Sequence, residues 1–208
     1  MAVSFLLGAV PCGYLIVRWL HHADVRQLGS GNIGMANVWR NFGAAAGLAT
    51  LVLDAAKGLA PVLAGRWLLG VPFYSEDLRA GLLLSGLALA AILGHTFTPF
   101  LRFRGGKGIA TGLGVSMGLL GVYVLIPLAV FAAVLAAFRF VSLGSLCAAL
   151  ALLLTTLFAD AVAAYLPLGI AACALVVFTH RDNIARLLRG EERRIGASGG
   201  AGISKPPS

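Results

Sequence analysis

Charge is what this chain has least of: only 12% of its 208 residues are Asp, Glu, Lys or Arg, against 59% hydrophobic residues, and the mean hydropathy is +0.92. Soluble domains carry about 25% charged residues, so that class is excluded and a polytopic membrane protein is expected. Cysteine is nearly as scarce. Cys12, Cys147 and Cys173 stand in apolar runs without paired spacing or a neighbouring His, a pattern of packing residues, and neither a metal nor a cofactor is expected. The first apolar run has no basic residue before it and no small-x-small site after it, which argues against a cleaved signal peptide and for a retained span. The net charge of +8 forms no separate basic domain. Its cations flank apolar runs, which sets nucleic acid aside and points to membrane lipid headgroups and anionic substrates.

What the chain has in abundance is apolar sequence of spanning length. A membrane helix needs roughly 20 apolar residues, and such runs occur near residues 3–20, 43–64 and 78–95. Residues 108–138 carry no charge, yet one helix of that length would be about 46 Å long, well beyond a hydrocarbon core of about 30 Å. Gly118, Gly121 and Pro127 divide it into spans near 108–120 and 122–138. Residues 141–179 divide around Asp160 to Pro167 into two more. The expectation is an all-α integral membrane protein of seven transmembrane helices. With the N-terminus external and the C-terminus cytoplasmic, thirteen of the sixteen cations fall inside and only Lys57, Arg66 and Arg79 do not. Fusing the fourth and fifth spans would place the basic C-terminus outside. Residues 1–195 read as one polytopic domain, and 196–208, rich in Gly, Ser and Pro, as a disordered cytoplasmic tail.

Two glycine-rich loops border these spans. Gly29-Ser30-Gly31-Asn32-Ile33-Gly34 matches the dinucleotide fingerprint G-x-G-x-x-G, and Asp54 falls where a ribose-binding acid would. No strand precedes it and Asp54 lies inside an apolar helix, so the match is rejected. The loop is instead followed by Asn32, Asn37, Arg40 and Asn41, donors suited to phosphate oxygens, with Arg40 able to grip bidentately. The second loop, Arg102-Phe103-Arg104-Gly105-Gly106-Lys107-Gly108, lacks the upstream Gly and the following Ser or Thr of a P-loop. It shares the physics: glycine amides converge on an anion and a helix dipole begins just beyond. His180-Arg181-Asp182-Asn183 opens an amphipathic basic segment after the last span. Ser142 and Ser145 follow Arg139, where either serves as a helix cap. Asp54 and Lys57, three apart on one helical face, are expected to pair as structural support, because each alone costs about 2.5–3.5 kcal/mol at the bilayer centre.

These clusters resemble the bacterial acyl-phosphate-dependent glycerol-3-phosphate acyltransferases. The resemblance rests on Gly29 to Gly34 with Asn37, Val38 and Arg40, on Gly94-His95 leading to Phe103-Arg104-Gly105-Gly106-Lys107-Gly108, and on His180-Arg181-Asp182-Asn183-Ile184. Where the family pattern has Ala-Thr, this chain has Met35-Ala36 and so no hydroxyl. The resemblance implies a seven-span inner-membrane enzyme with its site on the cytoplasmic face, moving a fatty acyl group from acyl phosphate to glycerol 3-phosphate. It makes Ser30, Ser145, His180 and Asn183 the catalytic candidates. Asn32, Asn37, Arg40, Gly105, Gly106, Lys107 and Gly108 become the phosphate-binding candidates, and Glu192 a supporting acid. The expected partners are the two anionic substrates and membrane lipids, and the expected state is a monomer. Acyl phosphate is already activated, so the task is to hold two anions together and neutralise the departing phosphate. The attacking hydroxyl needs a base, for which His180 and the donor's own phosphate both qualify. No His here has an Asp after four intervening residues, so the chemistry of the soluble-type glycerolipid acyltransferases is absent. The alternative is a transporter or channel for a phosphorylated solute; motifs gathered at one face, with no inverted repeat, weigh against it.

Overall fold

The computed structural model describes residues 1–195, whose regular elements are all helices with no strand among them; the tail from residue 196 lies outside the described residues. The α-helices in order are α1 (Ala2–Ala9), α2 (Cys12–Leu20), α3 (Met35–Phe42), α4 (Ala44–Leu69), α5 (Leu78–Thr96), α6 (Ile109–Leu120), α7 (Leu125–Phe138), α8 (Val141–Phe158), α9 (Leu166–Thr179) and α10 (Arg181–Leu188). Counted by length and apolarity, six stretches can cross a membrane: Ala2–Leu20, Ala44–Leu69, Leu78–Leu101, Ile109–Phe138, Val141–Phe158 and Asp160–Thr179.

The count differs from the expected seven because Ile109–Phe138 enters as one stretch, although it is not one rod. Helix α6 stops at Leu120, Gly121 takes a φ of +54°, and a 3₁₀ turn over Gly121–Val124 leads into α7. The two ends of the stretch meet again. Lys107, just before α6, donates to Asn183, which donates to Glu192 at 2.6 Å, and Ser142, just after α7, donates to the same carboxylate at 2.8 Å. A straight helix would hold those ends about 45 Å apart, so the chain folds back at Gly121.

The first span is also interrupted. Pro11 separates α1 from α2, since it has no amide hydrogen to continue the ladder. The carbonyls opened there are taken up from elsewhere in the bundle: Thr98 Oγ1, just past α5, donates to Ala9 at 2.6 Å and Lys57 Nζ of α4 to Val10 at 2.6 Å.

Small residues set the closest helix contacts. A Cβ on Gly58 would run into the Thr111 carbonyl and one on Gly114 into that of Ala55, which brings α4 and α6 into backbone contact; Gly8 against Ala91 does the same for α1 and α5. Around these contacts Val62, Leu84, Ala91, Val115, Leu119 and Tyr165 form the main core, and a second core of Val17, Val25, Ile33, Val38 and Leu101 sits under the first glycine loop. The large apolar side chains left outside, among them Leu68, Trp67, Val122, Leu125 and Phe158, fit a surface solvated by lipid tails. Arg66, one of the cations on the outer side of the charge balance, is buried. It donates to the carbonyls of Gly118 at 2.6 Å and Leu119 at 2.9 Å and to the Tyr165 hydroxyl at 2.9 Å, and so caps the end of α6, where the helix dipole favours a cation.

Candidate active site

Three polar segments converge at the end of the bundle that holds Glu192. In the first, Gly29 and Gly31 adopt φ of +60° and +70°, and a Cβ on Gly29 would strike the side chains of Asn37 and Asn41. Asn37 is the post around which this loop winds. It is buried, its Nδ2 donates to the carbonyls of Val25 (3.2 Å), Leu28 (3.0 Å) and Asn32 (2.9 Å), and its Oδ1 accepts from Ser30 N (3.0 Å) and Asn41 Nδ2 (3.1 Å). Its donors are thus engaged within the loop. Asn32 accepts from Gly34 N at 2.8 Å, an Asx turn that leads into α3, and its amide NH₂ makes no bond among the described residues. Ser30 and Arg40 are exposed on this segment.

The second segment, between α5 and α6, bends through left-handed conformations at Arg102, Phe103 and Gly108. Two of its glycine amides are bonded back to the end of α5. Gly105 N donates to Thr96 O at 3.0 Å and Gly106 N to His95 O at 3.1 Å, so these two glycines serve to pack the loop. The first amide of α6 with a partner one turn back is Gly112, bonded to Gly108 O; those from Lys107 to Thr111 have no acceptor among the described residues. Lys107 thus stands beside a helix head whose first amides are left without a backbone acceptor.

The third segment begins where α9 hands over to α10. His180 is buried, and its Nδ1 lies 2.9 Å from the Val176 carbonyl. A carbonyl only accepts, so Nδ1 carries the proton and the lone pair is on Nε2. Burial, reinforced by the charge of Lys107, pushes the His180 pKa down to about 4. One turn on, Asn183 accepts from Lys107 Nζ and passes the contact to Glu192, which also binds Arg186 at 2.7 Å. Burial works to raise the Glu192 pKa, but hydrogen bonds from Asn183, Ser142 and Arg186 hold it below the usual carboxylate range. Lys107 is brought down to about 8 by burial, with Arg186 and Arg40 adding to the effect and Glu192 and Asp182 opposing it.

The structure joins Lys107, His180, Asn183 and Glu192, with Arg40 within electrostatic reach. It does not join Ser145, which is buried and donates to Val141 O at 2.9 Å; Ser142 takes the place beside Glu192. Ser145 therefore spends its hydroxyl hydrogen within its own helix. A serine one turn inside a helix bonds back to the preceding turn, whereas one at the helix start is free to reach outward. Arg186, three residues after Asn183 on the same helical face, is a contributor that residue-by-residue reading passed over. Asp54 and Lys57 pair as expected, at 2.7 Å, and both are buried.

Comparison with known proteins bears on this arrangement. The sequence model of the family described as glycerol-3-phosphate acyltransferase matches residues 1–190. A glycerol-3-phosphate acyltransferase of Desulforudis audaxviator is 46% identical over 93% of this chain and 93% of its own, and that of Anaeromyxobacter sp. (strain Fw109-5) is 43% identical over 94% of each. Among solved structures, PlsY (YgiH), described as an integral membrane glycerol 3-phosphate acyltransferase, superposes in its glycerol 3-phosphate form with a TM-score of 0.85 at 34% identity, covering 94% of this chain and 93% of that one. Its lysophosphatidic acid form gives a TM-score of 0.81.

Proposed function

Because this chain belongs to the glycerol-3-phosphate acyltransferase family, we propose that its three loops carry out acyl transfer from acyl phosphate to glycerol 3-phosphate, releasing 1-acyl-glycerol 3-phosphate and phosphate. The observation that carries this assignment is the Lys107 ammonium held by Asn183 at the open head of α6, beside a neutral, buried His180. The glycerol hydroxyl oxygen attacks the acyl carbon, the bond from that carbon to the phosphate oxygen breaks, and phosphate leaves. Lys107 and the amides of α6 neutralise one phosphate. Ser30, Asn32 and Arg40, from the facing loop, hold the other anion. The hydroxyl proton passes to Nε2 of His180 or to the donor's phosphate. No nucleophilic enzyme group is required, since the donor is a mixed anhydride.

The membrane arrangement belongs to the same reading. Residues 1–195 form one domain, the 109–138 stretch makes two short crossings joined at Gly121, and the total is seven. The N-terminus lies outside, and the site faces the cytoplasm from the inner membrane, where the cations gather. The enzyme acts as a monomer among lipids.

The test is phosphate release from palmitoyl phosphate by the purified protein, with and without glycerol 3-phosphate. Release that depends on the acceptor, with acyl-CoA a poor donor, is the expected result, because nothing in these loops provides for adenine or pantetheine. Efficient transfer from acyl-CoA would overturn the donor assignment, and no acceptor-dependent release would overturn the function.

A further inference from the structure

Beneath the second loop lies a buried charged cluster that the chemistry above does not use: Asp54 and Lys57 from α4, and His95 from α5, with Asp54 1% and His95 3% exposed. Lys57 Nζ sits 2.7 Å from Asp54 Oδ1 and donates to the Val10 carbonyl. His95 Nδ1 is 3.6 Å from the same carboxylate oxygen, near enough for charge to orient the ring and too far for a hydrogen bond. The other edge of that ring, Nε2, lies against Gly106 so closely that no Cβ would fit between them. The backbone of the same residue accepts from Gly106 N, and that of its neighbour Thr96 from Gly105 N. His95 therefore grips the loop by ring and by carbonyl, directly before Lys107. Charges in a membrane-embedded interior are costly and apolar residues of similar size would pack α4 on α5 as well. Their placement under this loop gives them a purpose that packing alone does not.

We propose that Asp54, Lys57 and His95 form a positioning device for the second loop, in which the carboxylate sets the ring, the ring and carbonyl hold Gly105 and Gly106, and that grip keeps Lys107 half-buried against Asn183. His95 is on this view a positioning residue. The consequence for rate rests on the acyltransferase assignment; the grip itself is a property of the folded chain and is read without turnover.

The measurement is the pH dependence of Lys107 acetylation by acetic anhydride, followed by mass spectrometry on the full chain in detergent. Lys107 is faced by Asn183, Glu192, Arg186, Asp182, Arg40 and His180, and its burial brings it down to about 8. His95→Gln and Asp54→Asn release the loop to water, so the midpoint moves up by about one unit or more toward the free lysine value near 10.4. The kcat/KM for glycerol 3-phosphate falls roughly a hundredfold, the scale of an approximately 1 Å misplacement. Gly106→Ala moves the midpoint in the native background and adds little once His95→Ala has made room for the methyl group. It also reads the same contact should His95→Gln fail to fold. Arg66→Gln, which removes a buried cation at the far end of the bundle, leaves the midpoint in place. An unchanged midpoint in folded His95→Gln, or fully additive effects of Gly106→Ala and His95→Ala, would overturn the proposal. A shifted midpoint in a protein whose native form transfers no acyl group leaves the positioning device standing and removes only the functional assignment.

Discussion

At the scale of single residues, burial decides the protonation of the two central groups. Lys107 has its pKa lowered to about 8, so it is charged at neutral pH and loses its charge as pH rises through that value. The kcat/KM profile should show an alkaline limb near pH 8, which Lys107→Arg moves beyond the accessible range, because a guanidinium stays protonated. Lys107→Ala should cost about 10²- to 10³-fold in kcat, the range for losing one group that stabilises transition-state charge, with unchanged elution on size exclusion. Full activity in that variant would reduce Lys107 to a topology-setting cation. His180 is also lowered, and lands on the other side of pH 7: with a pKa of about 4 it is already neutral there, and protonation withdraws it as a base only in acid. If it accepts the hydroxyl proton, the acidic limb of kcat/KM lies near 4, and His180→Gln is slow and lacks that limb. A limb near pH 6 that persists in His180→Gln would follow the substrates' phosphates, whose second ionisation lies at about 6, and would make the donor's phosphate the base.

At the scale of helices, two glycines in α6 predict opposite outcomes. Gly114 faces the Ala55 carbonyl with no room for a Cβ, whereas Gly112, two residues earlier, has nothing within 4 Å. Gly114→Val should destabilise by about 1–3 kcal/mol through overpacking, and Gly112→Ala should stabilise by roughly 0.5–1 kcal/mol through reduced backbone entropy in the unfolded chain. Thermal unfolding in one detergent, monitored for both variants, checks the pair. A similar loss in both would mean that the α4–α6 contact is looser than described. The same contact explains why α6 functions despite its twelve residues: it is held along its length by α4, and its open head is left to face the loop.

At the scale of the whole molecule, cysteines introduced at Arg40, near Asn37 but exposed, and at Arg104 and Arg186 should all react with an impermeant reagent from the cytoplasmic side, and one at Arg139 should agree with them. The Arg139 site is the discriminating one. If residues 109–138 crossed once, Arg139 would label from the opposite face to Arg104; two crossings put both on the same face. Labelling at position 40 or 186 from outside would break the shared site apart.

The sequence by itself determined the class of molecule and marked out three polar segments, Lys107 among them; His180, Asn183 and Glu192 took their candidate roles from the family resemblance. The class and the segments follow from signals that are local and additive: apolar run length, cation placement, and glycine-rich loops beside the spans. Asp54 and Lys57 were legible as a pair for the same reason, since three-residue spacing on a helix guarantees proximity. Only the tertiary structure decided how each polar group uses its hydrogen bonds. Asn37 resembles a phosphate donor until its amide is seen tied to Val25, Leu28 and Asn32, and Gly105 and Gly106 resemble an anion cradle until their amides meet Thr96 and His95. Ser142 and Ser145 are equivalent in sequence, yet one meets Glu192, fifty residues away, and the other its own helix. A buried donor bonds whichever acceptor the packed chain brings within about 3 Å, and that partner is set by the fold, not by sequence spacing.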